Sequence, residues 1–213
     1  VVDEDDDAVF YNAGLAVASC KKDENGNVTL PAEASGAAVC AWKNRSDNKL
    51  YAAGSTYKVS KANEKFDAVT PNVALLEGAR VRLATTGALK FEGTIEEFDD
   101  VKDYVKKVGI LFVKTADLTE EIAGAGATPA SLTAAGITFQ KAEADAAARF
   151  EGVLENLTDK NEMWSALPYV TVELADGTTT EFAGTYTEEN NSRSVAKVAQ
   201  AAYEDRSQLK DTG

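Results

Sequence analysis

The chain has 213 residues, 44% hydrophobic and 8% aromatic, with a formal net charge of −13. This is enough apolar material for one large or two smaller packed domains and excludes a disordered chain. So acidic a surface repels phosphate backbones and anionic lipid, which sets aside nucleic acid and membrane insertion as partners.

Histidine is absent, which removes Ser-His-Asp and Cys-His catalysis and histidine metal sites. The two cysteines, Cys20 and Cys40, lie outside any Cys-x-x-Cys spacing and cannot complete a tetrahedral zinc site alone. They read either as a disulfide or as two buried thiols. No apolar run approaches the roughly 18 residues of a membrane span. The opening "VVDEDDD" lacks methionine and reads as the start of a mature or excised fragment. Its acids suit a solvated lead-in better than a calcium cage.

From Val9 the pattern is one of short β-runs. "AVFYNAGLAVASCKK" and "VTLP" flank "DENGN", and Asn25-Gly26 between them predicts a hairpin, because both central residues of a type I′ turn need positive φ. "ASGAAVCAW", "KLYAAGSTYKV" and "KFDAVTPN" add further strands, and Pro71-Asn72 reads as a linker. Beyond it, "ARVRLA" (79–84) alternates with period two, and "ALKFEGTI" (88–95) follows a Thr86-Gly87 turn. "EEFDDVKDYVKKV" spaces Phe98, Val101, Val105 and Val108 as a helix, with Lys106 and Lys107 in its last turn. "GILFVKT" (109–115) predicts a buried central strand. "AGAGATPASLTAAGI" reads as a small-residue loop with a helical turn, and "AARFEGVLENL" as a strand. "PYVTVELADGTTTEFAGTYT" predicts a hairpin turning at Asp176-Gly177, with Val170, Val172 and Leu174 on one face. A helix closes the chain at "NSRSVAKVAQAAYEDR", capped by Ser192 or Ser194, with Val195, Val198, Ala199 and Ala202 as its apolar stripe.

The features "VFYNAG", "VTLPAE", "CAWKN", "LYAAGSTYKV" and "FDAV" stand in an order and spacing that resembles the Listeria–Bacteroides extracellular repeat, the internalin B-repeat type. The match covers about 60 residues and departs where Ala41 replaces the usual glycine before Trp42. The resemblance implies a small β-grasp-like module on secreted, wall-attached bacterial proteins, acting as a spacer or adhesive segment. The remainder, through "EGARVRLATTGALKFEGTI", "GILFVKTADL" and "FEGVLENL", is similar to an uncharacterised module of surface proteins of gut and rumen Firmicutes, with Lys90 where arginine is usual. The expected fold class is α+β, mostly antiparallel β. A β-grasp-like domain over 8–72 precedes a larger β-sandwich-like domain with two or three helices over 73–209. In this frame Trp42, Tyr51, Tyr57 and Phe66 are core residues before they are a ligand platform.

Few constellations could carry chemistry. Acidic pairs such as Glu96-Glu97, Asp99-Asp100 and Glu188-Glu189 lack the apolar setting that keeps one glycosidase carboxyl protonated. "GAGAT" (124–128) lacks the Lys-Ser/Thr ending of a phosphate loop. No catalytic residue, metal ligand or cofactor is therefore expected. The better candidates are loops. In "NLTDKNEMWSALPY" (156–169), Trp164 with Asn161 and Tyr169 offers the aromatic face and polar flank that hold a neutral sugar ring. The competing reading makes Trp164 a plug at one end of the sandwich. In "TYTEENNSRS" (185–194), Tyr186, Asn190 and Arg193 gather at the mouth of the last helix, where a ligand hydroxyl or simple helix capping would use them. Arg80 and Arg82 share a strand face and are expected to pair with acids.

Together these features lead to a non-catalytic, extracellular, cell-surface-attached module that binds a neutral polysaccharide or oligosaccharide such as starch. The alternative is a protein-adhesion or spacer module in contact with other cell-surface proteins, holding no small molecule.

Overall fold

The structure is a computed structural model that describes residues 2–39, 41–83 and 86–210. It is α+β and mostly antiparallel β, the class expected from the sequence. The chain divides into two compact units, Val1–Thr70 with Val172–Thr180, and Pro71–Thr171 with Glu181–Gly213.

The first unit holds β1 (Ala8–Asn12), β2 (Leu15–Cys20), β3 (Asn27–Thr29), β4 (Glu33–Ala34), β5 (Ala37–Ala38), β6 (Ala41–Asn44), β7 (Leu50–Ala52), β8 (Thr56–Lys58) and β9 (Glu64–Val69). Its main sheet runs β2-β1-β9-β6-β7. β1 and β9 are parallel at its centre, while β2 and β6 are antiparallel to their neighbours. The ribbons β3–β8 and β4–β5 lie outside this sheet, and no helix occurs among the described residues of the unit.

The hairpin expected at Asn25-Gly26 is not formed. β2 turns back onto β1 through Ala13 (φ 49°) and Gly14 (φ 79°), the two left-handed residues of a two-residue turn. Alanine in that position hid the signal. Asn25-Gly26 still turns the chain, with Asp23 Oδ1 accepting from the Asn25 and Asn27 amides, but it joins strands of different sheets. The aromatic row fills the core. Trp42 meets Phe10 edge-on at 4.9 Å, and Phe10 stacks on Phe66 at 5.2 Å. All three are fully buried, and Tyr51 and Tyr57 pack half-buried against them. The Trp42 indole N–H donates to the Pro31 carbonyl at 2.7 Å.

The second unit is a two-sheet structure. Its strands are β10 (Asn72–Leu75), β11 (Arg80–Arg82), β12 (Gly87–Glu96), β13 (Val105–Lys114), β14 (Gln140–Asp145), β15 (Arg149–Leu157), β16 (Trp164–Glu173), β17 (Thr179–Ala183) and β18 (Ser192–Arg193), the end of β16 from Val172 and the start of β17 to Thr180 being counted with the first unit. β12 pairs with β10 and β11 in tandem and with β15, and the other sheet runs β14-β13-β16-β17 with β18 on β16. Phe91 and Phe112 touch between the sheets with centroids 5.9 Å apart. The helices are α1 (Phe98–Val101), α2 (Glu120–Ala125), α3 (Pro129–Ala134), α4 (Glu188–Asn191) and α5 (Val195–Lys210). Among the described residues only the last exceeds six residues.

The helix read over 96–108 is corrected to a single turn, α1. The β-branched run from Val105 continues into "GILFVKT" as one ten-residue strand, because Val and Ile pack best on a pleated, buried surface. Lys107 then reaches across to Asp145 on β14 at 2.7 Å instead of capping a helix. The small-residue loop carries two short helices, capped by the Thr119 and Thr128 hydroxyls.

Close approach in this sandwich relies on glycine. A Cβ on Gly109 would sit 2.5 Å from the Tyr169 ring and 2.8 Å from the Ala142 carbonyl. Gly109→Ala is accordingly expected to cost about 1–3 kcal/mol in urea unfolding, the usual range for overpacking. Gly124→Ala, in α2 with nothing within 4 Å, is expected to be neutral or to gain up to about 1 kcal/mol from helix propensity.

Candidate functional site

Local structure accounts for most of the residues expected to touch a ligand. Trp164 opens β16, where it pairs with Arg193 of β18. It is 8% exposed, with the Lys114 ammonium 5.8 Å from its ring centroid and Lys114 held by Glu162 at 2.6 Å. Its indole N–H is buried without a hydrogen-bond partner. Tyr169 is fully buried among Leu111, Leu132 and Leu167, and its hydroxyl donates to Glu143 at 2.7 Å. Burial and the Glu143 carboxylate both push the phenol upward, and Tyr169 and Lys141 in turn hold the Glu143 carboxyl below its ordinary value.

Tyr186 is half-buried against the same core. Its hydroxyl lies 3.2 Å from Ser192 Oγ and 3.4 Å from Ser165 Oγ, and Thr115 extends this hydroxyl cluster by 3.0 Å to Ser165. Tyr186 thus meets Ser165 and Ser192, while Trp164 and Arg193 are cross-strand neighbours in the β16–β18 pair. Asn161 and Asn190 are exposed and close local turns, their amides bonding to Asp159 Oδ1 and Thr187 Oγ1. Arg193 donates to the Glu189 and Ser192 carbonyls, so its guanidinium helps hold the end of α4. Ser194 caps α5 by accepting from the Lys197 amide at 3.2 Å.

Beside this cluster opens a groove of about 960 Å³. One wall is the Glu77–Ala79 connection between β10 and β11, and the facing wall is α5 from Lys197 to Asp205. Met163, Ser192 and Arg193 close one end, with Glu188 and Glu189 of α4 at its rim. The groove has the volume of a ligand site but no aromatic lining residue. Arg80 and Arg82 lie outside it and are ion-paired to Glu92 and Glu155 at 3.0 and 3.1 Å.

In the first unit Cys20 is a part-buried free thiol, raised by burial and by Asp6 and Asp7. Cys40, its candidate disulfide partner, lies outside the described residues.

A polar centre there escaped the sequence reading. Glu64 is fully buried. One of its oxygens accepts from the Ser60 amide and hydroxyl and the Lys61 amide, the other from Tyr57 and Asn44. Burial pushes this carboxyl up, but the donors outweigh it and hold it at about 2. A usable signal was present: alternation in "EKFDAV" puts Glu64 on the same face as the buried Phe66.

Comparison with protein-family models, curated proteins and solved structures finds no match to this chain.

Proposed function

We propose that this chain is a non-catalytic module of a bacterial cell-surface protein that works through protein contact or as a spacer, without a small-molecule ligand. The observation that carries this reading is the use of its aromatics. Trp42, Tyr169 and Trp164 are all buried, and no ring lines the groove beside α5. A neutral sugar gains most of its affinity from stacking on an exposed aromatic face. The extracellular setting rests on the similarity of "AWKNRSDNKLYAAGSTYKV" to surface repeats. No helix among the described residues is long and apolar enough to cross a membrane.

A second reading keeps the neutral polysaccharide, starch among the candidates, as ligand of the groove. It is favoured by the polar rim of Glu188, Glu189 and Arg193 beside the Ser192–Tyr186 hydroxyls. Calorimetry and intrinsic fluorescence with malto-, xylo- and cello-oligosaccharides decide between the two. The first reading expects blue-shifted emission and no saturable response. A saturable response to one sugar class, abolished by Arg193→Ala, would replace it with the second.

A further inference from the structure

The groove beside α5 has a charge pattern that names its occupant. Glu77, Glu188, Glu189 and Asp205 line it, and none is in an ion pair among the described residues. Several acids elsewhere on this unit are matched, as in Arg80–Glu92, Lys90–Glu151 and Lys107–Asp145. Between the groove's carboxylates the lining is apolar or small, formed by Ala79, Met163, Val198, Ala201 and Ala202. Ala201 and Ala202 are exposed, so this part of α5 has no covering element in the fold.

Two occupants would answer the negative charge, a divalent cation or a cationic chain. A cation needs several oxygens converging within about 2.6 Å of one point. Among the described residues no three carboxylates converge in this way. The charge is instead spread along the groove, from Glu188 and Glu189 at one end to Asp205 on α5. From Val198 to Asp205 the helix rises about 10 Å, which two turns of a docked helix would match. An apolar lining between separated carboxylates fits a segment with one apolar face flanked by lysines or arginines.

Resting on the protein-contact reading above, we propose that the groove between Glu77–Ala79 and α5 is the docking site for a short basic amphipathic segment of a partner protein. Its apolar face covers Ala201 and Ala202 beside the edge of Val198, and its cations meet Glu77, Glu188 and Glu189. The open Lys197 side chain disfavours a uniformly cationic peptide and selects for one with an acidic or neutral position opposite it.

The test titrates the intact chain with an amidated Lys/Leu/Ala peptide of about 14 residues at helical spacing, and with the same peptide carrying Glu for Lys. Amide shifts and calorimetry are read at low and moderate salt. The expected result is saturable binding of the lysine peptide only, with shifts confined to residues 77–79, 188–193 and 197–205. The combined Glu77→Lys, Glu188→Lys, Glu189→Lys variant should bind at least about tenfold more weakly, as expected where complementary charges set recognition. A remote variant, Glu24→Lys, Asp103→Lys, Asp117→Lys, changes net charge equally and should lose much less. Equal loss in the two variants, shifts scattered over the surface, or binding of the glutamate peptide would overturn the proposal. Absence of peptide binding with no response to oligosaccharides would overturn it while leaving the protein-contact reading standing. Absence of peptide binding with saturable sugar binding would overturn both.

Discussion

Trp42→Ala is expected to destabilise the chain by about 3–5 kcal/mol, the range for truncating a buried aromatic in a core that cannot collapse around the hole. Three contributions are lost together. The indole is fully buried, so its transfer free energy disappears. Its edge contact with Phe10 goes, and that contact also positions Phe10 against Phe66. The Pro31 carbonyl loses its donor and is left facing a cavity. Trp42→Phe keeps much of the volume but not the hydrogen bond, and should fall between wild type and alanine. Urea unfolding followed by far-UV circular dichroism measures all three. A loss below about 1 kcal/mol for alanine would show that the core closes around the gap, against the usual behaviour of such sites.

Glu64 should be almost as costly to replace, for a different reason. In Glu64→Gln the amide nitrogen faces donors that the carboxylate oxygen accepted, so at least one buried donor is left unpaired. The expected loss is about 2–4 kcal/mol, as for a buried hydrogen-bonded charge deprived of its match. Glu64 also makes stability depend on acid. Its folded-state value of about 2 lies below the ordinary 4.5, so the fold prefers the charged form. The resulting stabilisation is complete above about pH 4.5, declines as pH falls, and is gone below about pH 2. The full shift corresponds to about 3 kcal/mol, an upper bound on what this carboxylate contributes. Denaturation midpoints at pH 6 and pH 3 should converge between wild type and Glu64→Gln, with the wild type losing more on acidification. Parallel loss in both proteins would assign the acid sensitivity to other carboxylates.

What was legible in the sequence was mostly local. Period-two alternation marked β11, strand-like runs marked β12 and β15, and the uninterrupted apolar run marked β13 as central. The aromatics of residues 41–69 were readable as core because a small sheet has few other apolar groups to bury. Two local signals misled. Asn25-Gly26 has the chemistry of a tight hairpin, but β3 finds its partner in β8 and β2 in β1. Phe98, Val101, Val105 and Val108 have helical spacing, yet the β-branched residues after Val105 are better satisfied between β14 and β16. Of the groove only the end formed by residues 188–193 was legible. Its walls are distant in sequence and meet where α5 packs on β11 and β12, with Val195 so close to Gly87 that an added Cβ would come within 2.9 Å of it.

The parallel pairing of β1 and β9 bears on how the first unit carries load. The chain enters this sheet at Ala8 and leaves it at Val69 along neighbouring strands that run the same way, in register from Ala8–Glu64 to Tyr11–Asp67. Entry and exit therefore lie at opposite ends of the sheet. Tension applied between them slides β1 along β9 and stretches the rungs of that ladder simultaneously. An antiparallel hairpin pulled at its open end surrenders its bonds one after another. In the parallel arrangement no rung can yield alone, so the centre of this sheet resists extension along the chain as a clamp.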